Sequence, residues 1–294
     1  MSILVTGATG TIGSLVVRGL AGAGAEVKAL VRQQGKVAFP AGVTEVLGDL
    51  TDVPSMRAAL SSVHTLFLLN AVTPDEVTQA LIALNLARDA GIERIVYLSV
   101  IHADRYTNVP HFTGKYTVER MIEALDLSAT ILRPAYFMQN ERMVQQVIEG
   151  YGVYPMPIGS TGIAMIDTRD IADIAVAELL RRNSAPTALP RVTLDLVGPE
   201  LITGGSAATT WGSALAREVI YAGDDVAAFE GQMAKFSPGW LAYDMRLMMA
   251  GIQKIGMHGA EGAADRLQAI LGRPLRTYAE YVTQAVAADR RQLR

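Results

Sequence analysis

Residues 3–13, ILVTGATGTIG from Ile3 to Gly13, decide the fold. Ile3–Val5 is a short apolar run of strand type. It breaks into TGATGTIG, with glycines at 7, 10 and 13, and a helical pattern follows from Ser14 to Leu20. Strand, glycine-rich turn and helix, in that order, make the opening unit of a dinucleotide-binding fold. Gly7 permits the tight turn. Gly10 has no side chain, so backbone can approach a pyrophosphate. Gly13 lets the helix pack closely on the strand. Free N–H groups at the helix start then face the anion. Gly7, Thr9, Gly10, Thr11, Ile12 and Gly13 are the expected phosphate-binding residues. The alternative is an ordinary tight strand-to-helix turn.

Working outward, the second strand pattern is Glu26–Val31, followed at once by Arg32 and, four residues on, Lys36. A site for NAD would carry an acidic residue near here, for the ribose 2′-hydroxyl. A cation suits a 2′-phosphate, so NADP(H) is preferred and NAD(H) is possible. A solvated loop arginine is the alternative. Val43–Leu47 is a third short strand, ending in Gly48, Asp49 and Leu50. Asp49 either accepts from an adenine amino group or starts the next turn. Thr51 or Asp52 caps the helix that follows.

His64–Leu69 is a continuous apolar strand ending at Asn70, and Leu69, Asn70 and Ala71 are expected beneath the cofactor. A helix runs from Asp75 to Ala90 and closes at Gly91. Arg94–Leu98 is a strand with Ser99 at its end. A helix from about Thr113 to Leu125 and strand Ser128–Leu132 follow, then RPAYFMQN from Arg133 to Asn140. Strand and helix alternate six times, which predicts an α/β, Rossmann-type doubly wound parallel sheet. Residues 1–150 are expected to form the nucleotide-binding domain. Residues 151–294 are expected to form a smaller, mostly helical lobe that completes the sheet and shapes the substrate pocket. There, Asp167 or Thr168 caps a helix through Leu180, and Val192–Val197 is a strand. Met245, Met248 and Met249 recur at helical spacing below Phe236 and Trp240. They are either core packing or an adaptable apolar lid.

Bulk properties exclude several function classes. Net charge is −3, so nothing attracts nucleic acid or an anionic membrane. The absence of cysteine excludes disulfides, thiol catalysis and cysteine-bound zinc. Four scattered histidines predict no metal site. There is no serine-hydrolase elbow and no Gly-Lys-Ser/Thr phosphate loop. No apolar run approaches a membrane span. With the first strand starting at residue 2 or 3, a signal peptide is not expected, and the expected location is cytoplasmic.

The nicotinamide is expected near the ends of the fourth and fifth strands. Candidate reacting groups there are Ser99, His102, Asp104, His111, Lys115 and Tyr136. His111, Lys115 and Glu119 recur every fourth residue and share one helix face if the helix begins early enough. Lys115 then fixes the nicotinamide ribose, or else forms a surface pair with Glu119.

TGATGTIG, LVR, GDL, YLS followed by HAD, Lys115, RPAYFMQN and IDTRDIA together resemble the NmrA-like branch of the atypical short-chain dehydrogenase/reductases. The resemblance covers residues 1–180, with SVIHAD nearest to NAD(P)H:quinone oxidoreductases and triphenylmethane-dye reductases. It implies NADP(H) on the glycine loop and Arg32, adenine near Asp49 and Leu50, ribose on Lys115, and Pro134 to Phe137 beside the nicotinamide. The wider superfamily's tyrosine is replaced here by His111. The expected function is hydride transfer from NADPH to a small conjugated acceptor such as a quinone, enone or dye. Lys115, Ser99, His111 and Tyr136 are the catalytic candidates, and the chain is expected to be a monomer or homodimer. The alternative is an NADP(H)-sensing regulator that acts through protein partners.

Overall fold

A computed structural model describes residues 1–292. The first strand, β1 (Ile3–Val5), leads into α1 (Thr11–Gly22). Then come β2 (Val27–Val31), β3 (Val43–Leu47), α2 (Val53–Leu60), β4 (Thr65–Leu68), α3 (Glu76–Asp89), β5 (Ile95–Leu98), α4 (Pro110–Ala124) and β6 (Ala129–Pro134). A 3-10 turn, Met138–Met143, precedes α5 (Gln145–Tyr151) and β7 (Val153–Tyr154). The chain continues through α6 (Thr168–Ser184), β8 (Val192–Leu196), α7 (Gly204–Leu215) and β9 (Ile220–Tyr221). It ends in α8 (Val226–Met233), α9 (Gly239–Ile255), α10 (Ala263–Leu271) and α11 (Tyr278–Gln292).

Seven parallel strands form one sheet in the order β3-β2-β1-β4-β5-β6-β8. The order reverses between β1 and β4, and the glycine turn sits at that reversal. Crevices at such switch points are where ligands bind in doubly wound sheets. β7 and β9 pair separately as a two-stranded parallel sheet.

The strand period of two divides the apolar residues between two cores. Ile3, Val5, Ala29, Val96 and Leu132 face α1 and α6, whereas Leu4, Leu30, Ile95, Tyr97 and Ile131 face α2, α3 and α4. Both faces are covered, which explains why the strands read as unbroken apolar runs.

Local signals set the helix boundaries. Asp52 caps α2 by accepting from Ser55 N. Asp167 caps α6 by accepting from Arg169 N. Pro110 opens α4, three residues before the expected Thr113. Proline's fixed φ suits the first helical position, and the earlier start brings His111 into the helix. α6 extends past the expected Leu180 to Ser184. The segment after residue 200 is mostly helical, as expected. Among the described residues, no helix is long and apolar enough to cross a membrane.

Glu141, fully buried, accepts from the Tyr154 hydroxyl at 2.5 Å, the Tyr278 hydroxyl at 2.6 Å and Trp211 Nε1 at 2.8 Å. One carboxylate thus ties the 3-10 turn to β7, α7 and α11. Burial pushes it up to about 6, against three hydrogen bonds that favour the anion.

Candidate active site

The glycine turn shows why each glycine is needed. Gly7 has φ of +60°, the left-handed region, and a Cβ there would lie 2.9 Å from Leu69 O. A Cβ on Gly13 would lie 2.1 Å from Gly7 O, so only glycine lets α1 approach the turn this closely. A Cβ on Gly10 would meet only Gly7 O, at 3.3 Å, and otherwise project into open space. Gly10 is also the N-cap of α1, and no side chain caps that first turn. Thr9, Gly10 and Thr11 are exposed. The cradle therefore fits a diphosphate: open backbone, uncapped N–H groups and the positive end of a helix dipole.

Arg32 and Lys36 lie exposed in the loop after β2. Asp49 accepts from Thr51 N at 2.8 Å and from Thr51 Oγ1 at 2.6 Å, so its carboxylate does start the next turn. Those bonds lower its pKa, and Arg32 adds to the effect.

Beside the cradle is a cavity of about 360 Å³, lined by Ile12, Leu69, Asn70, Ser99, His111, Lys115, Pro134, Tyr136 and Phe137. Its other wall is methionine: Met143, Met156, Met233, Met245, Met248, Met249 and Met257, with Phe229. Met248 and Met249 are buried and also belong to the main core, so packing and pocket lining are one role here. Phe236 and Trp240 are exposed and do not line it.

The polar floor of this cavity differs in part from the expected arrangement. Lys115 is buried and does not form a surface pair with Glu119. Its nearest carboxylate is Glu76, the first residue of α3, with Nζ 4.0 Å from Oε2. Burial lowers the Lys115 pKa and raises that of Glu76. Glu119 instead holds Arg133 through paired bonds of 2.9 and 2.5 Å. Residues eight apart on a helix have drifted about 80° around its axis, enough to turn Glu119 away from the cavity.

Ser99 does line the cavity, but its hydroxyl donates to Glu119 Oε1 at 2.5 Å. Its proton is committed, so this catalytic candidate is not free to donate to a substrate carbonyl. Tyr136 is buried, and burial together with Glu141 pushes its phenol well above the ordinary range, making it a poor proton source at neutral pH. His102 and Asp104 lie outside the cavity. His102 takes a left-handed φ of 52° at a turn.

His111 is differently placed. Its Nδ1 lies 2.9 and 2.8 Å from the two oxygens of Asp244, a buried residue of α9. Neither Asp244 nor Glu76 stands out in the sequence. The available signal for Asp244 is one acidic residue within the apolar run AYDMRLMMAG. Asn70 donates to Glu76 O at 2.8 Å, while its Oδ1 and both Glu76 carboxylate oxygens are buried without a hydrogen-bond partner. Orphaned polar atoms beside an ammonium, at the cavity edge, suit a polar ligand that supplies the missing bonds. No cluster of metal-ligand type occurs among the described residues.

A model of the NmrA-like family matches residues 1–230. An NAD(P)H azoreductase of Xenophilus azovorans is 31% identical over 291 residues, spanning 97% of this chain and 98% of that protein. The NADPH complex of an NADPH-dependent quinone oxidoreductase from Escherichia coli superposes with a TM-score of 0.85 at 24% identity, covering 97% of this chain and all of that one. The NADP(H) complex of the Citrobacter triphenylmethane reductase gives 0.82 at 22% identity, covering 96% and 99%. These two likenesses show the fold.

Proposed function

The chain belongs to the NmrA-like family, and from that premise we propose that it is an NADPH-dependent reductase of small, flat, conjugated acceptors of the azo, quinone or dye type. The observation that carries this reading is the methionine-walled cavity opening directly beside the glycine cradle, with His111 and Lys115 on its floor. The identity to an azoreductase along the whole chain supports it.

The fit of the cradle supports the following roles. Backbone N–H groups of Thr9, Thr11, Ile12 and Gly13 hold the diphosphate, while that of Gly10 donates to Gly7 O and closes the turn. Arg32 and Lys36 hold a 2′-phosphate, which favours NADP(H) over NAD(H). Asp49 and Leu50 border the adenine. Leu69, Asn70, Pro134 and Phe137 border the nicotinamide, and Lys115 donates to its ribose. When bound, the dihydronicotinamide supplies hydride.

The remaining chemistry belongs to the chain. Thioethers conform to differing shapes at little cost, so the methionine wall presses a planar acceptor toward the cofactor side without demanding one outline. α8 and α9 supply most of this apolar wall, which limits water beside the reacting atoms. An azo nitrogen or quinone oxygen that gains the electron pair needs one proton, and His111 supplies it. These acceptors spread the incoming charge over a conjugated system. A simple ketone concentrates it on one oxygen and needs a stronger positioned acid. The His111-for-tyrosine replacement therefore suits conjugated acceptors.

The test is to mix the purified protein with NADPH and a panel of azo dyes and quinones, following the nicotinamide absorbance. Saturable turnover is expected on at least one class. Tight NADPH binding with no turnover on any member would overturn the reading in favour of a nucleotide-sensing regulator.

A further inference from the structure

His111 and Asp244 lie 133 positions apart, yet both carboxylate oxygens stand within 2.9 Å of one ring nitrogen. Asp244 is 1% exposed and comes from α9, whereas His111 is in the first turn of α4. An ionised carboxylate can only accept, so Nδ1 must carry hydrogen and Nε2 is the nitrogen left for the cavity. Edge-on packing against Phe112, with ring centroids 4.7 Å apart, holds the imidazole plane. We infer that Asp244 is a positioning residue for the proton donor: it fixes His111 in the Nδ1–H form and makes the acid complete only when α9 is seated on α4.

This rests on the reductase reading for its kinetic consequences but not for the tautomer itself. In the step concerned, hydride from NADPH reduces one atom of the acceptor's conjugated bond. The electron pair moves to the other terminus, which takes the proton from His111 Nε2, and the neutral imidazole is reprotonated from solvent. The charged groups facing His111 are Asp244 from α9, Glu76 from α3 and, one turn along its own helix, Lys115. Glu76 feels the charges of Lys115, His111 and Asp244.

Two measurements test the proposal. The first is ¹⁵N NMR of the imidazoles in the whole protein, with His111 assigned by a His111→Gln variant. The expected spectrum has hydrogen on Nδ1 in the neutral form. A neutral ring with hydrogen on Nε2 overturns the proposal, whether or not any acceptor is turned over. The second is a kinetic cycle on whichever acceptor the wild type reduces. Asp244→Asn should lower kcat about 10- to 100-fold and leave NADPH affinity unchanged. In the His111→Gln background the same change should have no further effect. Equal losses in both backgrounds would mean that Asp244 acts by packing alone and would overturn the proposal. If the wild type reduces nothing, the reductase reading fails and the NMR result still decides the tautomer. If Asp244→Asn does not fold, the nitrogen that carries hydrogen in the wild-type ring upholds or overturns the proposal by itself.

Discussion

Lys115 Nζ stands 4.0 Å from Glu76 Oε2, and both side chains are buried. Burial disfavours the charge on each. Glu76 opens α3, where the helix dipole favours a negative charge. Gly114 makes room for it: a Cβ there would lie 2.9 Å from Glu76 Oε1. Removing the ammonium alone leaves an unpaired buried carboxylate, which costs about 3 kcal/mol. Lys115→Met is therefore expected to lower both stability and turnover. Adding Glu76→Gln should restore most of the stability and none of the turnover. Denaturant unfolding and steady-state rates on the same preparations separate the two effects.

Gly13→Ala is expected to abolish nucleotide binding, because its Cβ would sit 2.1 Å from Gly7 O and force the turn open. Gly22→Ala, at the other end of α1, meets nothing within 4 Å. It should stabilise the protein by up to about 1 kcal/mol through helix propensity. Titration calorimetry with NADPH and thermal melts check the pair.

Arg32→Ala should weaken NADPH about 10- to 100-fold, the worth of a charge-assisted hydrogen bond to phosphate, and leave NADH nearly unchanged. Equal loss for both nucleotides in a binding titration would remove the 2′-phosphate assignment.

Glu141 gives stability a pH dependence of definite sign. Its pKa rises from 4.5 to about 6 on folding, so the folded state binds the proton more tightly than the unfolded chain. That contribution is fully present below pH 4.5 and is lost as pH rises through 6. It amounts to about 2 kcal/mol. Glu141→Gln does not titrate. The unfolding free energy of the wild type minus that of the variant should therefore be about 2 kcal/mol smaller at pH 7 than at pH 4.5.

The sheet was legible because its signals are local. Three glycines at 7, 10 and 13 and apolar runs such as Thr65–Leu68 each carry their meaning within a few residues. The reacting groups were legible only in part. Lys115 and His111 stood out as polar residues at fourfold spacing, but their partners depend on tertiary contact. Glu76 lies 39 positions before Lys115, and Asp244 lies 133 after His111. Whether Lys115 would meet Glu119 turned on where α4 began and how it was rotated, and spacing does not determine rotation. Likewise nothing near Ser99 in the chain announces that its hydroxyl donates to Glu119.

β8 reaches the sheet from residues 192–196 and pairs with β6 along its length, from Thr130↔Val192 to Pro134↔Leu196. α6 meanwhile shares one apolar core with α1. The first 150 residues are therefore not a portable module. A fragment stopping near residue 150 would present a bare row of amide and carbonyl groups on β6 and an uncovered stripe on the first helix, the features that make truncated sheets stick to one another. Transplanting this scaffold into a fusion enzyme requires carrying the later strand and helix along with it.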